Sequence, residues 1–461
     1  MSSMFDRLRG WAANRVVALL RVLALALVVI ALVIAVRGGL IDPARPNNII
    51  LISLDTLGAA HVGAFGYERQ TTPRIDSFLR DATLFRGAVA QAPSTTASHA
   101  ALFTSRYPSS VVVWKQLRDE ASTLAEQLDQ AGYATWGFVD GGNMSRTFGF
   151  SQGFDHYEDR RVGIDVLTER AQLWLEEHHE QPFFLFLHSY GIHTPYTNDA
   201  RYTSLFGNSD RFSGIDLGAL YFRALEASGV PVPESERREY VARYDAGIRK
   251  TDDALGAFLD GLAQRGLLER TMVVLVSDHG EEFLEHGKFG HKQLFLEPNL
   301  HVPLAFRLPG GRGQQIEGMV ELLDVLPTIR SLLGLPRVAD AEGQDLSATI
   351  LRGQHLDPER PAYAQLGAGR AAETVIRGRY QLMVDRRRGR MQLFDLETDP
   401  GARHDLAADR PGVVAELTAL IENRLGATAS RINKKQKKKF RQPAIDARLR
   451  RELKQFGYLE D

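Results

Sequence analysis

The chain has 461 residues, with 56 Lys+Arg against 57 Asp+Glu and no cysteine. This near-neutral balance supplies no global field to draw in nucleic acid, and the missing thiols exclude disulfides, thiolate metal sites and cysteine nucleophiles. At 44% hydrophobic and 25% charged residues the composition is that of an ordinary globular protein, with length for about two to three domain-sized units.

Val16 to Val36 is apolar except for Arg21, and as a helix it would span ~30 Å, enough to cross a membrane. Arg7, Arg9 and Arg15 precede it and Arg37 follows. The positive-inside rule therefore keeps the N-terminus in the cytoplasm and exports the remainder. No clear small-x-small cleavage site lies near Arg37, so a retained single-pass anchor is expected, with a cleaved signal peptide as the alternative. Residues 1–46 read as cytoplasmic N-terminus, anchor and linker. The rest is placed outside the cytoplasm, periplasmic or extracellular.

Ile49-Ile50-Leu51-Ile52-Ser53-Leu54 is an apolar strand running into Asp55 and Thr56. Thr71 to Asp76 opens a helix, with Thr72 as cap and Pro73 at the first helical position. Ala82 to Ala90 reads as a short strand. In Gln91 to Ser105, Pro93 and the hydroxyl cluster mark a turn, and Ala100 onward reads as a small-residue helix. A hydroxyl at such a helix N-terminus meets unpaired N–H groups, where an anion or an alkoxide is favoured; a Ser/Thr-rich cap is the plainer alternative.

Leu124 to Ala131 and Ala171 to His179 read as helices, Ala134 to Val139 as a strand. Pro182 to His188 is a further apolar strand, with His193-Thr194-Pro195-Tyr196 just beyond it. Arg238 to Gln264 is a long amphipathic helix that places Asp245, Asp252 and Asp253 on a solvated or capping face. It leads into Val273-Val274-Leu275-Val276, a strand ending in Ser277-Asp278-His279-Gly280. If this strand neighbours the one ending at Asp55 in a parallel sheet, Asp55, Asp278 and His279 converge on one point and predict a divalent cation. Imidazole in the set favours Zn or Mn, with Ca or Mg as alternatives. His286, His291 and Lys292 are placed to approach from the following loop, and His301 to Phe306 starts another strand.

From about Gln314 the alternation loosens. Leu322 to Leu333 reads as a helix, Thr374 to Val384 and Gln392 to Leu396 as two antiparallel strands around the turn Arg386 to Arg390, and Val413 to Leu425 as an amphipathic helix. These give a catalytic domain over 47–335, a smaller α+β subdomain over 336–425 and a basic tail over 426–461. The run Lys434 to Arg441 in that tail is read as solvated chain, with contact to anionic lipid as a minor alternative.

Several separated motifs, in order, resemble the sulfatase family of the alkaline-phosphatase-like superfamily. Asn48 to Leu57 is similar to the family's first metal-binding strand and Ser277 to Glu282 to its second. His188 to Tyr196 and Gly290-His291-Lys292 are similar to its substrate-side segments, Leu393 to Pro400 to its C-terminal signature, and Leu453 to Leu459 to its ending. The resemblance implies an α/β fold: a mostly parallel sheet sandwiched by helices, with a smaller antiparallel C-terminal part. The family's nucleophile segment aligns with Thr95 to Ser105. Sulfatases carry cysteine or serine at its first position, converted to formylglycine, and arginine at its fifth; here these are Thr95 and His99. Thr56 stands where many members have a second aspartate, and Ser105 replaces a usual glycine.

Threonine is not a formylglycine precursor, so Thr95 instead resembles the nucleophile of relatives that handle phosphate esters and diesters. The expected activity is a metal-dependent hydrolase or transferase of phosphate or sulfate esters. Asp55, Thr95, Asp278 and His279 would hold the metal, Thr95 would attack, Lys292 would share the developing charge, and His193 or His291 would serve the leaving oxygen. A lipid headgroup or surface glycan is the partner that an anchor favours. A formylglycine-independent sulfuric ester hydrolase and a non-catalytic sulfatase-like binding protein are the alternatives.

Overall fold

The computed structural model describes Arg21 and residues 46–113, 115–207, 218–291, 293–366, 371–426, 443–456 and 458–459. The expected anchor at Val16 to Val36, apart from Arg21, and the run Lys434 to Arg441 lie outside them. No helix among the described residues is long and apolar enough to cross a membrane. The architecture below belongs to the unit Pro46–Asp461.

Strand β1 (Asn48–Leu54) is buried along its whole length. Its side chains alternate between two cores: Ile49 and Leu51 enter one, and Ile50, Ile52 and Leu54 the other. An unbroken apolar strand is therefore the centre of a sheet covered on both faces. In chain order there follow α1 (Pro73–Leu79), β2 (Thr83–Val89), α2 (Thr95–Thr104), β3 (Ala134–Val139), β4 (His156–Asp159), α3 (Ile164–His178), β5 (Phe183–Ser189), α4 (Glu234–Gln264), β6 (Thr271–Val276), β7 (Leu304–Arg307), β8 (Gln314–Glu321) and α5 (Val325–Leu332). The strands form one eight-stranded sheet in the order β8-β2-β7-β6-β1-β5-β3-β4. Only β7 runs antiparallel to its neighbours.

This order puts β1 between β5 and β6, both parallel to it, with Ser53 beside His188 on one side and Val276 on the other. The three strands end at the same edge. Residues of α1, α3 and α4 fill the core on one face of the sheet, and residues of α2 and α5 that on the other. A four-stranded antiparallel sheet follows: β9 (Ala362–Leu366), β10 (Ala372–Arg377), β11 (Tyr380–Asp385) and β12 (Arg390–Asp395). Helix α6 (Pro411–Ile421) packs Leu417 and Ile421 against Val375, Leu382 and Leu393 of this sheet. Last comes α7 (Ala447–Gln455), whose Leu449 and Leu453 join the large core.

Several local expectations are corrected. The stretch Thr374 to Val384 spans parts of two strands, because Gly378 sits at φ +54° and turns the chain. Strand β8 was missed because its outer half alternates only between half-buried and exposed residues. Helix α2 begins at Thr95, not Ala100: the polar residues that signalled a turn are themselves buried in it. Thr72 precedes Pro73 as expected but makes no capping bond. Its hydroxyl accepts from Gly63 N and donates to Asp76 instead. Asp245 is buried rather than on a solvated or capping face: it pairs with His61 and Arg69 and accepts from Tyr67. Asp252 is also buried, but it does cap, accepting from the N–H groups of Arg74 and Ile75 at the start of α1.

Candidate active site

The carboxyl ends of β1 and β6 deliver Asp55, Asp278 and His279 to one point, where a ligand atom of each lies within 4.8 Å of the others. All three are fully buried. Asp55 Oδ1, Asp278 Oδ2 and His279 Nε2 find no hydrogen-bond partner, although orphaned buried polar atoms are costly and rare. Burial first, then the neighbouring carboxylate, pushes Asp278 up to about 6; burial pushes Asp55 up to about 6 as well. Burial opposes charge on His279, yet Asp278 and Asp55 outweigh it and leave this imidazole raised. Two crowded carboxylates and an imidazole with converging lone pairs fit a divalent cation.

Thr56 orients this cluster without joining it. It is β-branched and held at φ +61°, a backbone region that such residues rarely adopt. The bend aims its N–H at Asp278 Oδ1, 3.2 Å away, while its hydroxyl donates to Asp55 O at 2.7 Å and its carbonyl accepts from Tyr244 at 2.6 Å. The hydroxyl is thus committed to backbone.

Thr95 enters from the first turn of α2. The preceding loop is clamped by Ser98, whose hydroxyl donates to Ala92 O at 2.7 Å and accepts from Ala92 N at 3.2 Å. The Thr95 hydroxyl lies beside Asp55 and Tyr190 and 3.1 Å from the Tyr458 hydroxyl. One turn on, the His99 ring lies in the core directly beneath the cluster, its Nδ1 3.5 Å from Asp278 Oδ2. Its Nδ1 bonds Thr95 O at 2.8 Å and its Nε2 bonds Ser53 at 2.9 Å, and Phe103, Phe150, Phe186 and His188 surround the ring. Burial holds His99 down at about 4, so it is neutral and takes no part in binding an anion as arginine would. Ser105 ends α2 at φ +55°, where glycine is at ease. Its hydroxyl compensates by donating to Leu323 O and accepting from Gly343 N.

His193 and His291 face each other across the mouth with ring centroids 5.2 Å apart, and His291 lies 4.4 Å from His279. His193 Nδ1 bonds Thr194 O at 2.6 Å and Nε2 the Tyr458 hydroxyl at 2.9 Å. Burial pushes its pKa down to about 3. His291 Nδ1 lies 3.1 Å from Glu281 Oε1. Beside them opens a cleft of about 240 Å3 lined by residues including Ser94, Thr194, Phe222, Arg223 and Phe289. Lys292 lies outside the described residues. His286 does not approach the site: its ring stacks on Phe295 at 3.5 Å and its Nε2 bonds Gly401 O. Sequence reasoning missed Tyr190, Glu281 and Tyr458 as site residues. His188, which opens the segment His188 to Tyr196, is fully buried 3.4 Å from Asp55 Oδ2.

The fold and strand-end cluster define a sulfatase-type α/β protein. The sulfatase family model matches residues 47–335, more than half of the chain, and the chain belongs to that family. It is 26% identical over 356 residues to an ulvan-active sulfatase of Formosa agariphila, covering 69% of this chain and 67% of that protein. It is 23% identical over 476 residues to arylsulfatase K of Bos taurus, covering 87% and 86%. Among solved structures, a protein in complex with its substrate D-glucosamine-2-N,6-O-disulfate superposes with a TM-score of 0.70 at 18% identity, over 86% of this chain and 100% of that one. The phosphonate monoester hydrolase of Agrobacterium radiobacter gives 0.68 at 20% identity, over 83% and 96%.

Proposed function

We propose that this protein is a metal-dependent hydrolase or transferase of sulfate or phosphate esters that uses Thr95 as its nucleophile. The observation that carries this reading is the convergence of the orphaned Asp55 Oδ1, Asp278 Oδ2 and His279 Nε2, with the Thr95 hydroxyl beside the same Asp55. Asp55, Asp278 and His279, with Thr95, would hold the cation. Thr56 has turned its hydroxyl to Asp55 O; this small set with one imidazole suits Zn or Mn better than Ca, which takes six to eight oxygens. A divalent cation bound there supplies charge that favours the ionised threonine hydroxyl and offsets negative charge growing on the ester oxygens.

Thr95 Oγ1 attacks the sulfur or phosphorus in line with the leaving oxygen, and the N–H groups at the start of α2 face the charge that develops. His193 is held neutral; with Nδ1 bonded to Thr194 O, its Nε2 accepts a proton rather than gives one. His291, beside the Glu281 carboxylate, is the one of the two with a partner for a proton in transit toward the leaving group. The Thr95 adduct then passes to water or to an acceptor alcohol. Sulfatase relatives favour a sulfate ester, whereas threonine at the nucleophile position favours a phosphate ester. The span Val16 to Val36 is proposed to tether the domain to a membrane on its outer side, near lipid or glycan acceptors.

The test is intact mass after incubation with Mn or Zn and a panel of sulfate esters, phosphomonoesters and phosphodiesters, with turnover followed for wild type and Thr95→Ala. A mass adduct mapped to Thr95, with turnover lost in Thr95→Ala, is the expected result and names the ester class. Unchanged turnover in Thr95→Ala overturns the nucleophile assignment.

A further inference from the structure

Tyr458 lies 363 positions from Thr95 in sequence and outside the region matched by the family model, yet its hydroxyl touches both Thr95 and His193. It arrives on a segment that is anchored at several points. Asp446 caps α7 by accepting from Leu449 N at 2.7 Å, and Arg448 donates to Asp159 O at 2.7 Å. Glu452 accepts from Gly142 N at 3.2 Å, and Tyr458 N donates to Leu453 O at 2.8 Å. Phe456 lies on Tyr190 with centroids 4.3 Å apart, beneath the guanidinium of Arg161 at 4.5 Å.

The body of the protein is shaped to receive this segment. Gly141 and Gly142, just past β3, both adopt positive φ. A Cβ on Gly142 would meet the Tyr190 ring at 2.9 Å and the Phe456 ring at 3.0 Å, and one on Gly141 would meet Glu452 Oε2 at 2.6 Å. Close approach and left-handed backbone both require glycine there. The seat is therefore built.

We propose that Tyr458 is a positioning residue of the reaction, one whose hydroxyl bridges Thr95 Oγ1 and His193 Nε2 and fixes the orientation of both. The proposal rests on the reading of Thr95 as nucleophile. With His193 Nδ1 donating to Thr194 O at 2.6 Å, Nε2 is the acceptor, so the phenol donates to it at 2.9 Å. Its oxygen is then left to accept from the Thr95 hydroxyl at 3.1 Å. The bridge thereby selects one rotamer of Thr95 and one tautomer of His193. Since the ring and backbone of Tyr458 are held by packing, loss of the hydroxyl alone isolates this role.

The experiment is steady-state kinetics of the full chain with para-nitrophenyl sulfate and bis(para-nitrophenyl) phosphate, for wild type, Tyr458→Phe, His193→Ala, the double variant and Thr95→Ala. Tyr458→Phe is expected to lower kcat about tenfold with KM changed less than about twofold and an unchanged melting temperature. In the His193→Ala background the same change is expected to cost less than about twofold, because the two residues act as one unit. A kcat unchanged or raised by Tyr458→Phe overturns the proposal, the latter marking the segment as an obstruction. Fully multiplicative effects overturn it too. Should Thr95→Ala keep its turnover, the nucleophile reading fails separately; should Thr95→Ala be dead and Tyr458→Phe normal, only the bridge fails.

Discussion

On one side of the site, Asp55, Asp278 and His279 stand at the ends of β1 and β6, where parallel ladders fix the backbone. On the facing side, His193, His291 and Tyr458 are carried by loops and by the segment after α7, and their side chains meet one another. The first side is set by the same hydrogen bonds that make the sheet, so its geometry is present before any ligand arrives. The second is set by where loops and the segment after α7 dock rather than by a strand ladder, which suits a surface that must fit a particular leaving group. In the proposed reading, cation binding therefore falls to the sheet and selectivity to the loops.

The sharpest way to break that assignment is to remove one ligand from each side. Asp278→Ala is expected to abolish bound metal and lower turnover by roughly a thousandfold or more. His291→Ala should leave one metal per chain, as counted by elemental analysis of the purified protein, while changing the rate in a leaving-group-dependent way. Equal metal loss in the two variants would erase the distinction.

A second contrast lies within one helical turn. Thr95 and His99 are both buried in α2, but the Thr95 hydroxyl meets Tyr458 at the strand-end site, whereas the His99 ring sits in the core beneath it. His99→Ala removes a ring packed by three phenylalanines and leaves the Ser53 hydroxyl without its partner. It is expected to cost about 2–4 kcal/mol of stability, whereas Thr95→Ala should unfold within about 1 kcal/mol of wild type and lose only chemistry. Denaturant melts of the two variants, set beside their turnover, measure this directly.

How legible each part was follows from the same division. The strand ends could be read because a long apolar run is built to be buried, and a carboxylate at its end then needs a cation or a donor beside it. Two such runs implied convergence without coordinates. The inward turn of His99 could not be read, since nothing in Thr95 to Thr104 marks one face as outward: the helix is buried nearly all round. The burial of Asp245 is not legible, because charge on a helix usually lies on a solvated or capping face; its partners His61, Tyr67 and Arg69 come from a loop about 180 positions earlier. Tyr458 falls in Leu453 to Leu459, which resembles the family's ending, but that resemblance gives it no role, which arises from where α7 docks.

The two sides also differ in the sign of their pH dependence. In metal-free protein Asp55 and Asp278 are raised from 3.8 to about 6. The folded chain then holds protons that the unfolded chain has released, so this pair costs stability as pH rises from about 4 through 6. His193 is lowered from 6.5 to about 3. There the unfolded chain binds the proton first, so stability is lost as pH falls below about 6.5. Melting temperatures of metal-free protein at about pH 4.5 and 6.5 should therefore separate the variants: Asp278→Asn is expected to steepen the rise in stability with pH, and His193→Gln to flatten it. Shifts of the same sign would show that the opposed burial of carboxylates and imidazole does not govern the acid response.

The smallest effect expected is at His286, which follows the short strand Glu282–Phe283 and is in sequence as plausible a metal-side histidine as His291. What separates the two is the direction of the ring. His291 turns toward His279, while His286 stacks flat on Phe295 and bonds Gly401 O at 2.8 Å, tying the loop after β6 to the turn after β12. Removing it by His286→Ala deletes one ring stack and one hydrogen bond away from the reacting atoms, a loss of about 1–2 kcal/mol in stability with kcat and bound metal unchanged. Were His286→Ala instead to lose metal or slow turnover about tenfold at constant stability, the loop would belong to the cation side of the site, and the division between sheet-borne binding and loop-borne selectivity would have to be redrawn around it.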